Sequence, residues 1–196
     1  ESSPKWITYL SATSVYGDHK GEWVNEESET KSTSANGIDR LAAEKSWMLF
    51  AANSKLPLQI FRLSGIYSDQ RNILARLKSG NTNIINKKNH FFSRIHVEDI
   101  ANVLFKSLSN FKPSEIYNIS DDKPSSPEEV TLYGVKLLNI DNPRTIEIED
   151  IESEMLKNFY KESKKVSNKK MKSFFDYKLK FPTYVEGLNY IRNNLL

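Results

Sequence analysis

Trp6-Ile7-Thr8-Tyr9-Leu10, running into Ser11-Ala12-Thr13-Ser14 and then Val15-Tyr16-Gly17, decides the reading of this chain. The first five residues, rich in β-branched and aromatic side chains, predict a strand. The hydroxyl cluster and glycine behind them predict that the strand stops in a tight turn. Downstream, runs of the same kind alternate with runs of helical periodicity, which is the pattern of βαβ units and a parallel sheet.

The elements read in order. The first strand covers about 6–10, and a polar loop extends from Asp18 to Ala35. A helix runs from near Asn36 to about Asn53, with Ile38, Leu41, Ala42, Met48, Leu49 and Ala52 spaced for one apolar face. Glu44 on it reads as a surface or helix-packing charge, and Trp47-Met48 as core or interface. Pro57 marks the boundary to a second strand, Leu58-Gln59-Ile60-Phe61-Arg62-Leu63. Asn72–Lys78 is a short helix stopped by Gly80, with short strands near 82–85 and 91–97 behind it. Glu98–Leu108 is a helix, and Ile116-Tyr117-Asn118-Ile119 a strand. Ser126 caps a further helix that has Pro127 at its first position and Glu128 and Glu129 in its first turn. The remainder is mostly helical, with Ser167 as a cap and a last helix over Tyr184–Leu196.

Composition narrows the function classes. The chain has 196 residues, enough for one domain with a sizeable core, and no repeat or Pro/Gly linker divides it. A net charge of +3 is too small to argue for nucleic acid or an anionic membrane. The lysines between Lys157 and Lys180 read as solvated faces rather than a polyanion site. There is no cysteine, so disulfides, thiolate catalysis and thiolate metal sites are excluded. His19, His90 and His96 form no ligand pair at helical spacing, so no metal is expected. No apolar run approaches the ~20 residues of a bilayer span. The chain opens on Glu1-Ser2-Ser3 without Met, which leaves an upstream targeting segment open; cytoplasm is the default.

Five segments, in order, resemble the extended short-chain dehydrogenase/reductase family, the nucleotide-sugar epimerases and dehydratases. They are the Ser/Thr cluster with Val15-Tyr16-Gly17; Arg40-Leu41-Ala42-Ala43-Glu44-Lys45; Phe61-Arg62-Leu63-Ser64-Gly65-Ile66-Tyr67; Arg94-Ile95-His96-Val97-Glu98-Asp99-Ile100-Ala101; and Ile116–Ser120 with Pro127–Val130. Val166-Ser167-Asn168 and Tyr184 to Leu188 continue the match. The resemblance implies an α/β fold: the second portion of a Rossmann-type doubly wound parallel sheet, with a small, mostly helical C-terminal lobe. About 1–64 and 91–125 complete the sheet in this reading, and about 66–90 and 126–196 form the substrate-side lobe. NAD or NADP is the implied cofactor, a nucleotide sugar the implied substrate, and a homodimer through the helix 36–53 follows by analogy.

Two departures stand out. The family binds its cofactor through G-x-x-G-x-x-G after the first strand, where backbone N–H groups meet the pyrophosphate, and this motif is missing. With βαβ units of about 30 residues each, a missing front amounts to roughly 80–110 residues. The chain is therefore expected to be truncated, to bind cofactor weakly or not at all by itself, and to be unstable alone through its unpaired strand edges. The catalytic triad also differs. The family uses a Tyr as base, a Lys four residues later and a Ser/Thr hydroxyl; the alignment puts Asn36 at the Tyr, Arg40 at the Lys and Ala12 at the hydroxyl. Asn has no proton to exchange near neutral pH, and Arg is a different tool from Lys. A one-residue slip brings Ser11 or Thr13 to the hydroxyl position.

The remaining candidates carry two readings each. Ser11 and Thr13 either orient substrate or are satisfied polar residues at a strand end. Tyr16 is a wall of the substrate cleft or a displaced acid/base. Arg40 contacts cofactor ribose or pairs with a surface carboxylate. Leu10, Ser11, Leu63, Ser64, Gly65 and Ile66 belong to a cofactor pocket where strands end. Arg71 and Arg94 meet a substrate diphosphate or are structural, and His96 is a hydrogen-bonded structural histidine. The chain is thus either an atypical NAD(P)-dependent epimerase/dehydratase-like enzyme or a non-catalytic NAD(P)-binding regulatory or scaffold protein.

Overall fold

The computed structural model describes residues 3–195. Its centre is a parallel sheet of three strands in the order β1 (Ile7–Ala12), β3 (Leu58–Leu63), β7 (Ile116–Ile119), with Ile7 opposite Leu58 and Ile60 opposite Ile116. Between β1 and β3 run the two-residue strand β2 (Trp23–Val24) and the long helix α1 (Ala35–Ser54). All six residues of β3 are buried, as expected of a parallel strand covered on both faces. Two of the six are polar and find partners: Gln59 donates to Thr8 Oγ1 at 2.8 Å, and Arg62 pairs with Glu44.

The connection from β3 to β7 carries β4 (Gly65–Tyr67), α2 (Ile73–Lys78), β5 (Ile84–Ile85), β6 (Arg94–His96) and α3 (Val97–Ser107). Beyond β7 come α4 (Pro127–Leu138), β8 (Thr145–Ile146), α5 (Glu154–Lys161), β9 (Lys165–Val166), α6 (Lys169–Phe175) and α7 (Tyr184–Leu195). Short parallel pairs tie late segments to early ones: β9 to β2, β6 to β4, and β8 to β5. Phe61, Leu63, Tyr117 and Ile119 of the sheet pack with Ile100 and Val103 of α3 and Met171 and Phe175 of α6. A second core joins Tyr67 and Leu74 to Val130, Leu188 and Ile191.

Local chemistry explains the element ends. Asn72 accepts the N–H of Ala75 and Ser126 that of Glu129, so both are N-caps, and Pro127 opens α4. His96 caps α3 by accepting the Glu98 N–H on Nδ1, which is the structural role expected of it. Gly17 ends the 3-10 turn Thr13–Tyr16 with φ +69°, and a side chain there meets the Lys31 backbone. The cap of α6 is Asn168 rather than Ser167, and Leu196 lies outside the described residues.

The first helix departs from its expected face. Ile38, Met48 and Leu49 are 51%, 44% and 64% exposed, and its buried residues are Gly37, Glu44 and Ala51. Periodicity pointed to the apolar stripe. The ion pair with Arg62 instead turns a charged residue inward, so Glu44 is a buried partner and not a surface charge.

Candidate active-site cleft

The carboxyl ends of β1 and β3 open into a cleft of about 560 Å³. One wall comes from Ala12, Thr13 and Ser14, with Ser34, Ala35 and Asn36 at the start of α1. The floor is Leu63, Ser64 and Gly65, and the far wall is Phe91, Phe92 and Ser93 with Asn158, Phe159, Glu162, Lys164 and Val166. Gly37 allows α1 to start so close to the strand end, because a side chain there meets the Ser14 carbonyl and the Ser32 side chain. Thr13 and Asn36 therefore share one cavity. Arg40 stands one turn further along α1, where Nη1 donates to the Leu10 carbonyl at 3.3 Å. The Ser64 hydroxyl is buried and, among the described residues, without a hydrogen-bond partner.

Thr13, Asn36, Leu63, Ser64 and Gly65 thus line the cleft; Leu10, Ser11, Tyr16, Arg40, Ile66, Arg71 and Arg94 do not. Each of the absent side chains is held elsewhere or turned outward. Ser11 donates to Glu44 at 2.6 Å, inside the protein. Tyr16 is no cleft wall: it is fully buried beside Val15, Val24 and Val166. Its hydroxyl donates to Asn118 at 2.8 Å and accepts from Arg62 at 3.0 Å. Burial raises its pKa despite the nearby guanidinium, so it has neither the access nor the acidity of an acid/base. Arg94 points inward, where Nη1 donates to the carbonyls of Phe92 and Ser125, both at 3.0 Å, and the guanidinium lies over the Phe92 ring. Arg71 is exposed at the end of a turn, and Ile66 and Leu10 are 47% and 40% exposed.

The far wall was not legible in the sequence. Phe91-Phe92 read as strand residues, and Lys164 fell within a lysine-rich stretch read as solvated. The pairing of β9 with β2 carries that stretch to the cleft, where Lys164 donates to the Gly17 carbonyl at 2.8 Å and to Glu162 at 2.9 Å. Behind this wall His90 is enclosed by the rings of Tyr160 and Phe159. Burial, with Lys87, Arg94 and Lys164 near, pushes its pKa down to about 4. Among the described residues no group of His, Asp and Glu is placed to hold a metal ion, and no helix is long and apolar enough to cross a membrane.

The parallel sheet, with the cleft at its carboxyl edge, defines the class by its fold: the chain has a Rossmann-type α/β fold. It superposes with a TM-score of 0.79 on dTDP-glucose 4,6-dehydratase from Bacillus anthracis, solved with NAD, at 19% identity over 95% of this chain. With UDP-glucuronic acid 4-epimerase from Bacillus cereus, also solved with NAD, the TM-score is 0.75 at 16% identity over 96%. Within that class it belongs to one family with a conserved protein of unknown function from Silicibacter pomeroyi, 39% identical over 97% of this chain with a TM-score of 0.91. No family model and no curated protein matches the sequence. The chain spans 60% of the dehydratase, 62% of the epimerase and 67% of the Silicibacter protein.

Proposed function

We propose that this protein works in the cytoplasm as an NAD(P)-dependent enzyme on a small molecule, a nucleotide sugar, with an altered triad at Ala12, Asn36 and Arg40. The supporting observation is Ser64. Its hydroxyl is buried and unmet among the described residues at the end of the central strand, on the floor of a cleft at the sheet edge where ligands bind in open α/β folds. An unmet buried hydroxyl calls for a partner, and the carboxamide of a nicotinamide fits one. Leu63, Ser64 and Gly65 are the residues to hold that half of the cofactor. When bound, the group supplies reversible hydride exchange. Thr13 and Asn36 orient a substrate oxygen by hydrogen bonds, while Phe92 and Phe159, with ring centroids 4.5 Å apart, give the cleft an apolar wall that excludes water. In this reading the segments 66–90 and 126–196 form the substrate-side lobe, and two copies pair through α1.

The loss of Tyr and Lys from the triad positions favours a second reading, a non-catalytic NAD(P)-binding regulatory or scaffold protein. The experiment is NADH and NADPH binding, read by nucleotide fluorescence. The protein from its complete reading frame is compared with this 196-residue chain, and a turnover screen on UDP- and dTDP-sugars follows. Binding with turnover is the expected result. Binding without turnover selects the regulatory reading, and failure of a folded full-length protein to bind either nucleotide overturns both.

A further inference from the structure

We propose that Glu162, held in place by Lys164, is the acid–base residue of the cleft and replaces the tyrosine absent at position 36. This rests on the enzyme reading above. Among the described residues, Glu162 and Lys164 are the only ionisable side chains lining the cleft; the others are apolar residues, hydroxyls, amides and glycine. His90, His96 and Tyr16 are closed off from it. His90 is enclosed by Tyr160 and Phe159, His96 is fully buried at the start of α3, and Tyr16 lies beneath with its hydroxyl already bonded.

The position of Glu162 is fixed from several sides. His19 and Gly21 donate their backbone N–H groups to the Ser163 carbonyl at 3.1 and 2.9 Å, and the Ser163 N–H donates to Asp18 at 2.9 Å. These bonds clamp the segment to the loop behind the Val-Tyr-Gly turn. Lys164 donates to Glu162 Oε2 at 2.9 Å, and the two side chains are 12% and 14% exposed. Among the described residues the other oxygen, Oε1, is met only by Ser32 Oγ at 3.4 Å, a long contact that leaves it able to accept. Ser32 in turn lies 3.1 Å from Ser34 Oγ, and Ser34 lines the cleft two residues before Asn36. A polar chain therefore runs from the lobe carboxylate to the triad side of the cleft. Asp18 and His90, besides Glu162, also lie within reach of the Lys164 charge.

In the forward step a substrate hydroxyl gives its proton to Glu162. The substrate O–H bond breaks, an O–H bond forms on the carboxylate, and the electron pair remains on the substrate oxygen. The reverse step returns the proton. Lys164, whose donors go to Glu162 and the Gly17 carbonyl, is a positioning residue.

The test compares wild type, Glu162→Gln and Glu162→Asp, each expressed from the complete reading frame and shown to be folded by its melting curve. Glu162→Gln is expected to bind NADH as wild type does, to lose ~10²–10⁴-fold in kcat with KM little changed, and to lose the acidic limb of the pH profile. Glu162→Asp recovers part of the rate. Without turnover as a readout, the ¹³C carboxyl resonance of Glu162, assigned by its absence in Glu162→Gln, should move when UDP-glucose is added. Turnover by wild type that survives in Glu162→Gln, or bound UDP-glucose with an unmoved resonance, overturns this proposal alone. Absence of both turnover and sugar-nucleotide binding in wild type overturns the enzyme reading, and this proposal falls with it.

Discussion

Glu44 and Arg62 meet inside the protein at 2.7 and 3.0 Å through two N–H donors, with 1% and 4% of their surfaces exposed. The same carboxylate accepts from Ser11, and the same guanidinium donates to Tyr16, which donates to Asn118. Side chains from β1, α1, β3 and β7 thus share one buried polar chain beneath the cleft. Removing one member leaves an uncompensated buried charge, so Arg62→Leu is expected to cost about 3–5 kcal/mol in urea unfolding. The double change Glu44→Met with Arg62→Leu should recover most of that loss, because the larger part is desolvation of the orphaned partner. A double variant as unstable as the single one rejects that explanation. The sequence motif around Arg40–Lys45 and Phe61–Tyr67 showed both residues, but not that they face each other. Helix periodicity treats a glutamate as an outward residue, and only the partner on a neighbouring strand turns it inward.

At the scale of elements, α4 was readable almost to the residue. Its cap, its first proline and its acidic first turn act within four residues of one another, and the Ser126 hydroxyl accepts the Glu129 N–H at 3.0 Å. Ser126→Ala is expected to cost ~1 kcal/mol, measured by thermal unfolding. The two-residue strands β2, β8 and β9 were not readable, because each exists only through a partner far away in the chain. The outward side of α1 bears on the dimer reading. Ile38, Leu49 and Phe50 are 51%, 64% and 55% exposed on one helix. If two copies pair there, Phe50→Glu converts a dimer to a monomer in light scattering, with the melting profile of each subunit otherwise kept. A wild-type monomer at all concentrations rejects the pairing.

The whole molecule responds to pH through its buried imidazoles. His90 takes a proton in the folded protein only near pH 4, while its unfolded value is 6.5. Between these two values the unfolded chain binds a proton that the folded one refuses. Stability is therefore full above about pH 6.5 and falls as pH drops towards 4, by on the order of 3 kcal/mol for this residue. His96, whose pKa burial also lowers, acts in the same direction. His90→Phe should flatten the slope of unfolding free energy against pH in that window, as measured by urea titrations from pH 7 to 4.5; an unchanged slope assigns the effect elsewhere. The sheet order and the meeting of early and late segments also belong to this scale. The C-terminal stretch that forms the far wall of the cleft is more than a hundred residues from the turn it faces, and nothing local in it marks that role.

By itself the sequence determined the alternation of strands and helices, the parallel sheet, the caps and the resemblance to the extended short-chain dehydrogenase/reductase family. Those features rest on interactions within a few residues, or on motifs whose spacing is written in the chain. The tertiary structure alone decided which polar residues are buried as partners, which face of α1 is left outward, and which side chains share the cleft. Tyr16 went beneath it and Glu162 and Lys164 onto it because β9 pairs with β2, a contact set by the closing of the whole chain.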